Sequence, residues 1–241
     1  MFERPHHRRI GRLLQTLDGG GLRTLGCLFG GGTAMALRFG EYRESVDVDF
    51  LVSDQAGYRE LRSLLRGRHD LGPISRAGVT APGCRSEIRV DQYGIRTYVL
   101  VDGVAIKFEI VNEARIVLEA PRMNDDVLGV ATLTKVDMVA SKLLANSDRG
   151  LDDGTFNRDV LDLAMMAPPR AALAAGHAKA CAAYGESVTL DFKRAMTRLR
   201  DRNGWLARCM EAMQMQLPVA LVWQRLRNLE RKLVVFSHPE E

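Results

Sequence analysis

Two aspartates one residue apart, Asp47 and Asp49, stand in an alternating run from Val46 to Val52. In an extended strand, side chains at i and i+2 leave the same face, about 6–7 Å apart along the chain. Val46, Val48, Phe50 and Val52 would then face a core, and the two carboxylates the opposite side. Such a pair suits the binding of divalent cations at phosphates. Magnesium usually takes one or two carboxylates together with substrate phosphates, and paired metals at phosphoryl-transfer sites lie roughly 3.5–4 Å apart. A lone Asp-x-Asp on a strand is most often only a solvated face. What changes the reading is Gly30-Gly31-Gly32-Thr33 upstream, between an apolar strand and a helical stretch. Glycines without a Cβ let phosphate approach the backbone. The free N–H groups of the following helix then face the anion, and Thr33 adds a hydroxyl. The order is strand, phosphate-binding turn, helix, metal-binding strand. Gly19-Gly20-Gly21 has no such setting and is expected to be an ordinary turn.

The segment Leu28 to Phe50 resembles the first motif of the polymerase-β-like nucleotidyltransferase superfamily, in which a Gly-Gly or Gly-Ser turn precedes Asp-x-Asp. More narrowly it resembles the AbiEii/AbiGii-type nucleotidyltransferase toxins. The chain carries Gly31-Gly32-Thr33-Ala34-Met35-Ala36-Leu37, then Arg43-x-Ser45-x-Asp47-x-Asp49-Phe50. It departs from the pattern at Gly40-Glu41-Tyr42-Arg43, where the family's Gly-His-Arg is one residue shorter. The resemblance spans residues 25–167 and implies a third carboxylate on a later strand, for which Glu109, beside Lys107, is the candidate. It also implies a helical motif, matched by Lys142, Arg149 and Arg158-Asp159-Val160-Leu161-Asp162-Leu163. Asp159 and Asp162 share a helix face. In this reading Lys142 contacts nucleotide phosphates, and Asp162, or else Asp159, positions that lysine or the attacking hydroxyl. The competing reading is a salt-bridge cluster among Lys142, Arg149, Asp159 and Asp162.

These residues need particular elements to position them. A short helix is expected over 7–18, a strand over Leu25 to Phe29, a helix over Thr33 to Phe39 and an amphipathic helix over Gln55 to Arg66. Residues 72–84 read as a loop. Ile95–Val101 and Val104–Val111 flank Asp102-Gly103, a strong hairpin signal. Thr134 can cap a helix running to Arg149, with Asp137 at the capping-box position. Helices follow over 157–166, 170–184, 189–201, 203–215 and 219–233, the first stopped by Pro168-Pro169. The fold class is α+β: a nucleotidyltransferase-type mixed β-sheet domain over residues 1–125, and an all-α domain over 126–241 that completes a cleft.

The composition permits this. Of 241 residues 46% are apolar, and the formal charge is +4. Six lysines stand against 28 arginines, a bias that genomic base composition explains. A mild positive charge suits a nucleotide or RNA partner. No apolar run reaches the length of a membrane span, and Met1 to Arg12 is basic and lacks the apolar stretch of a secretory signal; the chain is expected to be cytoplasmic. Cys27, Cys84, Cys181 and Cys209 form no Cys-x-x-Cys pair and are expected to be reduced. His6, His7, His69, His177 and His238 show no metal-ligand spacing and are expected at the surface.

The expectation is therefore an enzyme that transfers a nucleoside monophosphate from an NTP to an acceptor hydroxyl. Mg²⁺ or Mn²⁺ would be held by Asp47, Asp49 and Glu109, and the nucleotide by Gly31, Gly32, Thr33, Ser45, Lys142 and Asp159. The resemblance implies the toxin of a toxin–antitoxin pair, with a cognate antitoxin as partner and tRNA 3′ ends as acceptors. Two other readings are a small-molecule nucleotidyltransferase of the antibiotic-modifying kind and a non-catalytic nucleotide- or RNA-binding module. The intact carboxylate set favours catalysis. Some toxins of the resembled family are silenced by phosphorylation of a serine at the position of Ser45; the competing reading is that Ser45 only caps the turn before the strand. A phosphoserine would add about −1.5 to −2 charge beside groups that must bind metal and polyphosphate. Ser45→Glu is thus expected to lose activity and Ser45→Ala to keep much of it. Equal activity at saturating NTP and metal would reject a charge-based switch.

Overall fold

The computed structural model describes residues 2–234. His238 therefore lies outside the described residues. The chain divides into two compact units. The first holds Met1–Glu41 and Ser45–Thr134; the second holds Lys135–Glu241 together with Tyr42–Glu44.

In the first unit, helix α1 (Pro5–Thr16) opens with proline at its first turn, where the missing N–H costs nothing. Its Ile10, Leu13 and Leu14, with Leu17 just beyond, form a buried stripe. Helix α2 (Gly19–Thr24) occupies the glycine run expected to be a turn. The correction has a local cause: the Asp18 carboxylate accepts the Gly21 N–H at 3.0 Å and caps a helix there. Strand β1 (Leu28–Gly30) leads into α3 (Gly31–Arg38), then β2 (Val48–Val52) and α4 (Gln55–Leu65). Asp54 caps α4 through the Gly57 N–H. Strands β3 (Arg89–Val90), β4 (Gly94–Val101) and β5 (Val104–Asn112) complete a sheet of order β1-β2-β5-β4-β3. Strands β2 and β5 run parallel and the other pairs antiparallel, so the sheet is mixed.

The β4–β5 turn has Asp102 and Gly103 both at positive φ, 49° and 75°, as a two-residue hairpin of primed type requires. A second hairpin, β6 (Asp126–Val127) with β7 (Val130–Ala131), turns at Leu128-Gly129. Phe50 packs at a tilt between Phe29 and Phe108 across β1, β2 and β5, with ring centroids 5.5 Å from each. They share one core with the α1 stripe and with Ile95, Val99, Ile106 and Ile110. Val46 does not join it. The strand begins at Val48, and Val46 is 49% exposed.

The second unit is helical: α5 (Lys135–Arg149), α6 (Arg158–Met166), α7 (Arg170–Tyr184), α8 (Ser187–Asp201), α9 (Trp205–Ala212) and α10 (Val219–Val234). Helix α5 is central, packed by α6, α7 and α8. Its Asp137 is buried and takes Lys179 Nζ at 2.5 Å. Trp205 is buried; its Nε1 donates to Asn157 Oδ1 at 2.7 Å and the Arg202 guanidinium lies 4.0 Å from its ring centre. The four cysteines are free, and no helix among the described residues is long and apolar enough to cross a membrane.

Gly176 is where α7 meets α5 most closely. A Cβ there would lie 2.5 Å from Val139 Cβ and 2.7 Å from the Val136 carbonyl oxygen. Helix propensity alone favours alanine by about 0.8–1.0 kcal/mol, whereas overpacking costs typically about 1–3 kcal/mol. Because one of the obstructing atoms is backbone, Gly176→Ala is expected to lower the melting temperature. A rise on thermal denaturation would contradict this packing.

Candidate active site

The sequence-derived site residues fall into two groups, one in each unit. In the first unit, β1 ends at Gly30 and α3 starts at Gly31, whose φ is +66°. A Cβ at Gly31 would stand 2.4 Å from Asp49 Oδ2. Glycine is thus required twice over: for its backbone conformation and because the Asp49 carboxylate lies against the turn. Gly32 follows in the first turn of α3. Asp47 stands just before β2, and both aspartates are partly exposed.

Thr33 is buried. Its hydroxyl donates to the Asp47 carbonyl oxygen and lies 2.8 Å from the Ser45 hydroxyl. Thr33 therefore ties the loop carrying Ser45 and Asp47 to the start of α3. The Ser45 N–H donates to His7 Nε2 at 3.2 Å, while His7 Nδ1 lies 2.7 Å from Glu41 Oε1. An N–H can only donate, so Nε2 accepts and the ring proton sits on Nδ1. His7 is fully buried, which corrects its expected surface position: it lies on the apolar stripe of α1, one turn before Ile10. His69 is exposed, and His6 and His177 are partly so. Glu41 also accepts the backbone N–H of Glu3 and of Arg4. Burial would raise the Glu41 pKa, but these donors and His7 hold it below its ordinary value.

Glu109 stands opposite Asp49 in the parallel β2–β5 register and opposite Arg96 across the hairpin. Arg96 Nε lies 2.7 Å from Glu109 Oε1, and Lys107 Nζ 2.9 Å from Oε2. Burial pushes the Glu109 carboxyl upward; the two cations outweigh it and hold its pKa low. Lys107 is pushed down by burial, but Glu109, Asp49 and Asp47 together raise its pKa. The site is an oxygen-rich face with one carboxylate already neutralised by cations. Among the described residues no group of three or more His, Cys, Asp or Glu side chains is arranged to hold a metal ion. An oxygen-only donor set of two partly exposed aspartates does match what magnesium prefers.

In the second unit Asp162 is fully buried. Arg43 grips it with two bonds, Nε to Oδ1 at 2.6 Å and Nη2 to Oδ2 at 2.9 Å. The Tyr42 hydroxyl donates to Oδ1 at 2.7 Å, and Lys142 Nζ lies 2.7 Å from Oδ2. Lys142, 5% exposed, also donates to Asp159 Oδ1 at 2.9 Å. Arg149 adds two bonds to Asp159, at 2.9 and 3.1 Å. Burial would raise both aspartates. The charges of Lys142 and Arg149 on Asp159, and of Arg43 and Lys142 on Asp162, reverse this and lower both pKa values. Burial and the neighbouring Asp162 raise the Tyr42 pKa well above its ordinary value, so the phenol stays a donor. Sequence reasoning anticipated Lys142, Arg149, Asp159 and Asp162 as one set. It gave Tyr42 no role and Arg43 only a place in the motif, because their link to Asp162 spans about 120 residues.

The family described as "Nucleotidyl transferase AbiEii toxin, Type IV TA system" has a sequence model that matches residues 17–226. No curated relative matches the chain. Among solved structures, the nucleotidyltransferase toxin MenT4 from Mycobacterium tuberculosis is similar at 16% identity and a TM-score of 0.46, over 98% of this chain and 84% of that one. JHP933 from Helicobacter pylori is similar at 17% identity and 0.45, over 97% and 94%.

The buried network makes a prediction about acid. Asp159 and Asp162 have folded pKa values below those of the unfolded chain. Their stabilisation is fully present above the unfolded carboxylate value, about 3.9, and is lost as pH falls through the lower folded values. Asp162→Asn leaves Arg43 without its ionic partner and is expected to cost about 3 kcal/mol or more. It should also flatten the fall in stability at acid pH. Urea unfolding across a pH series measures both, and an unchanged midpoint would count against the network.

Proposed function

The chain belongs to the AbiEii nucleotidyl transferase toxin family, and on that premise we propose that it transfers a nucleoside monophosphate from an NTP to an acceptor hydroxyl at the carboxylate strand of the first unit. The observation that carries this reading is the approach of Asp49 to the glycine turn at Gly31. One short segment thereby brings a phosphate-binding backbone and a cation-binding carboxylate side by side.

In the reaction, the acceptor oxygen forms a bond to the α-phosphorus and gives its proton to solvent. The bond from the α-phosphorus to the bridging oxygen breaks, and pyrophosphate leaves with the electron pair. Asp47 and Asp49 are the residues that would hold Mg²⁺ or Mn²⁺, with Glu109 as the third oxygen donor, for which Lys107 competes. A bound divalent cation neutralises phosphate charge in such a transfer. The backbone of Gly31 and Gly32 receives the β- and γ-phosphates at the start of α3. Thr33 and Ser45 fix the loop that presents Asp47. Lys142, Asp159 and Asp162 we assign as positioning residues: Asp162 holds Tyr42 and Arg43, a few residues before Asp47 in the chain, and Lys142 ties Asp162 to Asp159. A tRNA acceptor and a cognate antitoxin belong to the same proposal, as the biology of a type IV toxin–antitoxin family would have it.

The test uses each labelled NTP with divalent metal and total RNA. Label is expected in RNA, with release of pyrophosphate; label only in small molecules would favour the antibiotic-modifying kind of acceptor. Asp47→Ala and Asp49→Ala remove groups expected to supply several kcal/mol of transition-state stabilisation, so the rate should fall at least about a hundredfold. The melting temperature should hold or rise slightly, since two close carboxylates no longer repel. An unchanged rate in either variant would falsify the assignment of the carboxylate strand.

A further inference from the structure

The face of the sheet that carries Asp49 continues beyond the carboxylates. On β4 and β5, Tyr98 is paired with Lys107 and Leu100 with Ala105, in the rows next to Arg96 and Glu109. Their neighbours Ile95, Val99 and Val101 are buried, as are Ile106 and Phe108 opposite. The alternation of a half-buried strand sends Arg96, Tyr98 and Leu100 outward. Tyr98 is 48% exposed and Leu100 42%, and the Lys107 and Arg96 side chains are 40% and 38% exposed. An aromatic ring with an aliphatic neighbour thus lies open to solvent, beside two half-exposed cations that Glu109 pairs and, for Arg96, Asp91 as well.

The strand order gives this surface a direction. Strand β1 and the glycine turn lie on one side of β2, while β5 and then β4 lie on the other. Nucleotidyl transfer places the attacking and leaving oxygens roughly in line across the phosphorus. With the polyphosphate on the β1 side, an in-line acceptor would come from the β5–β4 side, where Tyr98 lies. An aromatic face accepts any base by stacking, and cations beside it match the phosphates of a strand.

We propose that Tyr98, flanked by Lys107 and Arg96, stacks the terminal base of a single-stranded nucleic-acid acceptor and so sets the position of its hydroxyl. The assignment rests on the nucleotidyltransferase reading of the neighbouring carboxylates. Tyr98 is a substrate-binding residue in this arrangement; its phenolic oxygen has no part in it.

The test is binding without turnover. A short fluorescent single-stranded RNA is titrated with the full chain by anisotropy, in the absence of NTP and divalent metal. Tyr98→Ala is expected to weaken binding roughly tenfold or more, and Tyr98→Phe to bind like the wild type, with equal melting temperatures for all three. A labelled NTP titrated in parallel should bind wild type and Tyr98→Ala alike. Failure of the wild type to bind the RNA, equal binding by Tyr98→Ala, or a loss in Tyr98→Phe as large as in Tyr98→Ala would overturn the proposal. So would a loss confined to NTP affinity, since the ring would then serve the nucleotide. None of these readings needs catalysis, so they stand apart from the Asp47 and Asp49 variants that test transfer itself.

Discussion

A carboxylate removed from water costs several kcal/mol unless cations and donors surround it. Asp162 meets that condition only by drawing on distant parts of the chain. Lys142 reaches it from α5, while Arg43 and Tyr42 come from the link between α3 and β2. The helical unit is therefore not a continuous stretch of sequence: it includes Tyr42–Glu44. The Glu44 N–H extends the attachment by donating to the Met213 carbonyl. The family's serine and aspartates follow this anchored segment immediately. Its extra residue relative to the family pattern lies in Gly40–Arg43, where Glu41 serves α1 and His7, and Tyr42 and Arg43 serve Asp162.

The carboxylate strand works by a different balance. Asp49 is placed by a backbone that only glycine can follow, and Asp47 by a carbonyl bonded to Thr33. Glu109 has its charge matched by Arg96 and Lys107. Asp49 and Glu109 stand opposite each other on neighbouring strands, and like charges directly opposite are destabilising. Lys107 and Arg96 relieve part of that repulsion. The open face thereby carries both signs of charge within one row of side chains, Asp49, Glu109 and Arg96.

Much of this was legible because it is local. The alternation around Asp47 and Asp49, the glycine start of α3 and the Asp102-Gly103 turn each follow from a few adjacent residues. The turn even fixes the register that sets Arg96 against Glu109, since pairing counts outward from Val101 and Val104. Helices α8, α9 and α10 follow their apolar period. What was not legible depends on contacts far apart in sequence or on an unusual turn residue. Helix α2 needs the Asp18 cap to outweigh three glycines. The β6–β7 hairpin turns on Leu128 at a φ of 54°, which composition does not suggest. His7 was within reach, because it shares a helical face with Ile10 and Leu14, but a histidine next to arginines reads as surface. Arg43 and Tyr42 gave no signal beyond a motif match, since their partner lies some 120 residues away.

The three-residue inclusion bears on how such chains can diverge. A crossover near Thr134 would import a new set of helices while keeping the resident Tyr42 and Arg43. The incoming aspartate at the position of Asp162 would then meet an arginine selected for a different parent. Exchange would be tolerated only where the donor and the recipient agree at these few positions, however little else they share. Arg43 belongs, structurally, to the half of the protein that its sequence position does not suggest.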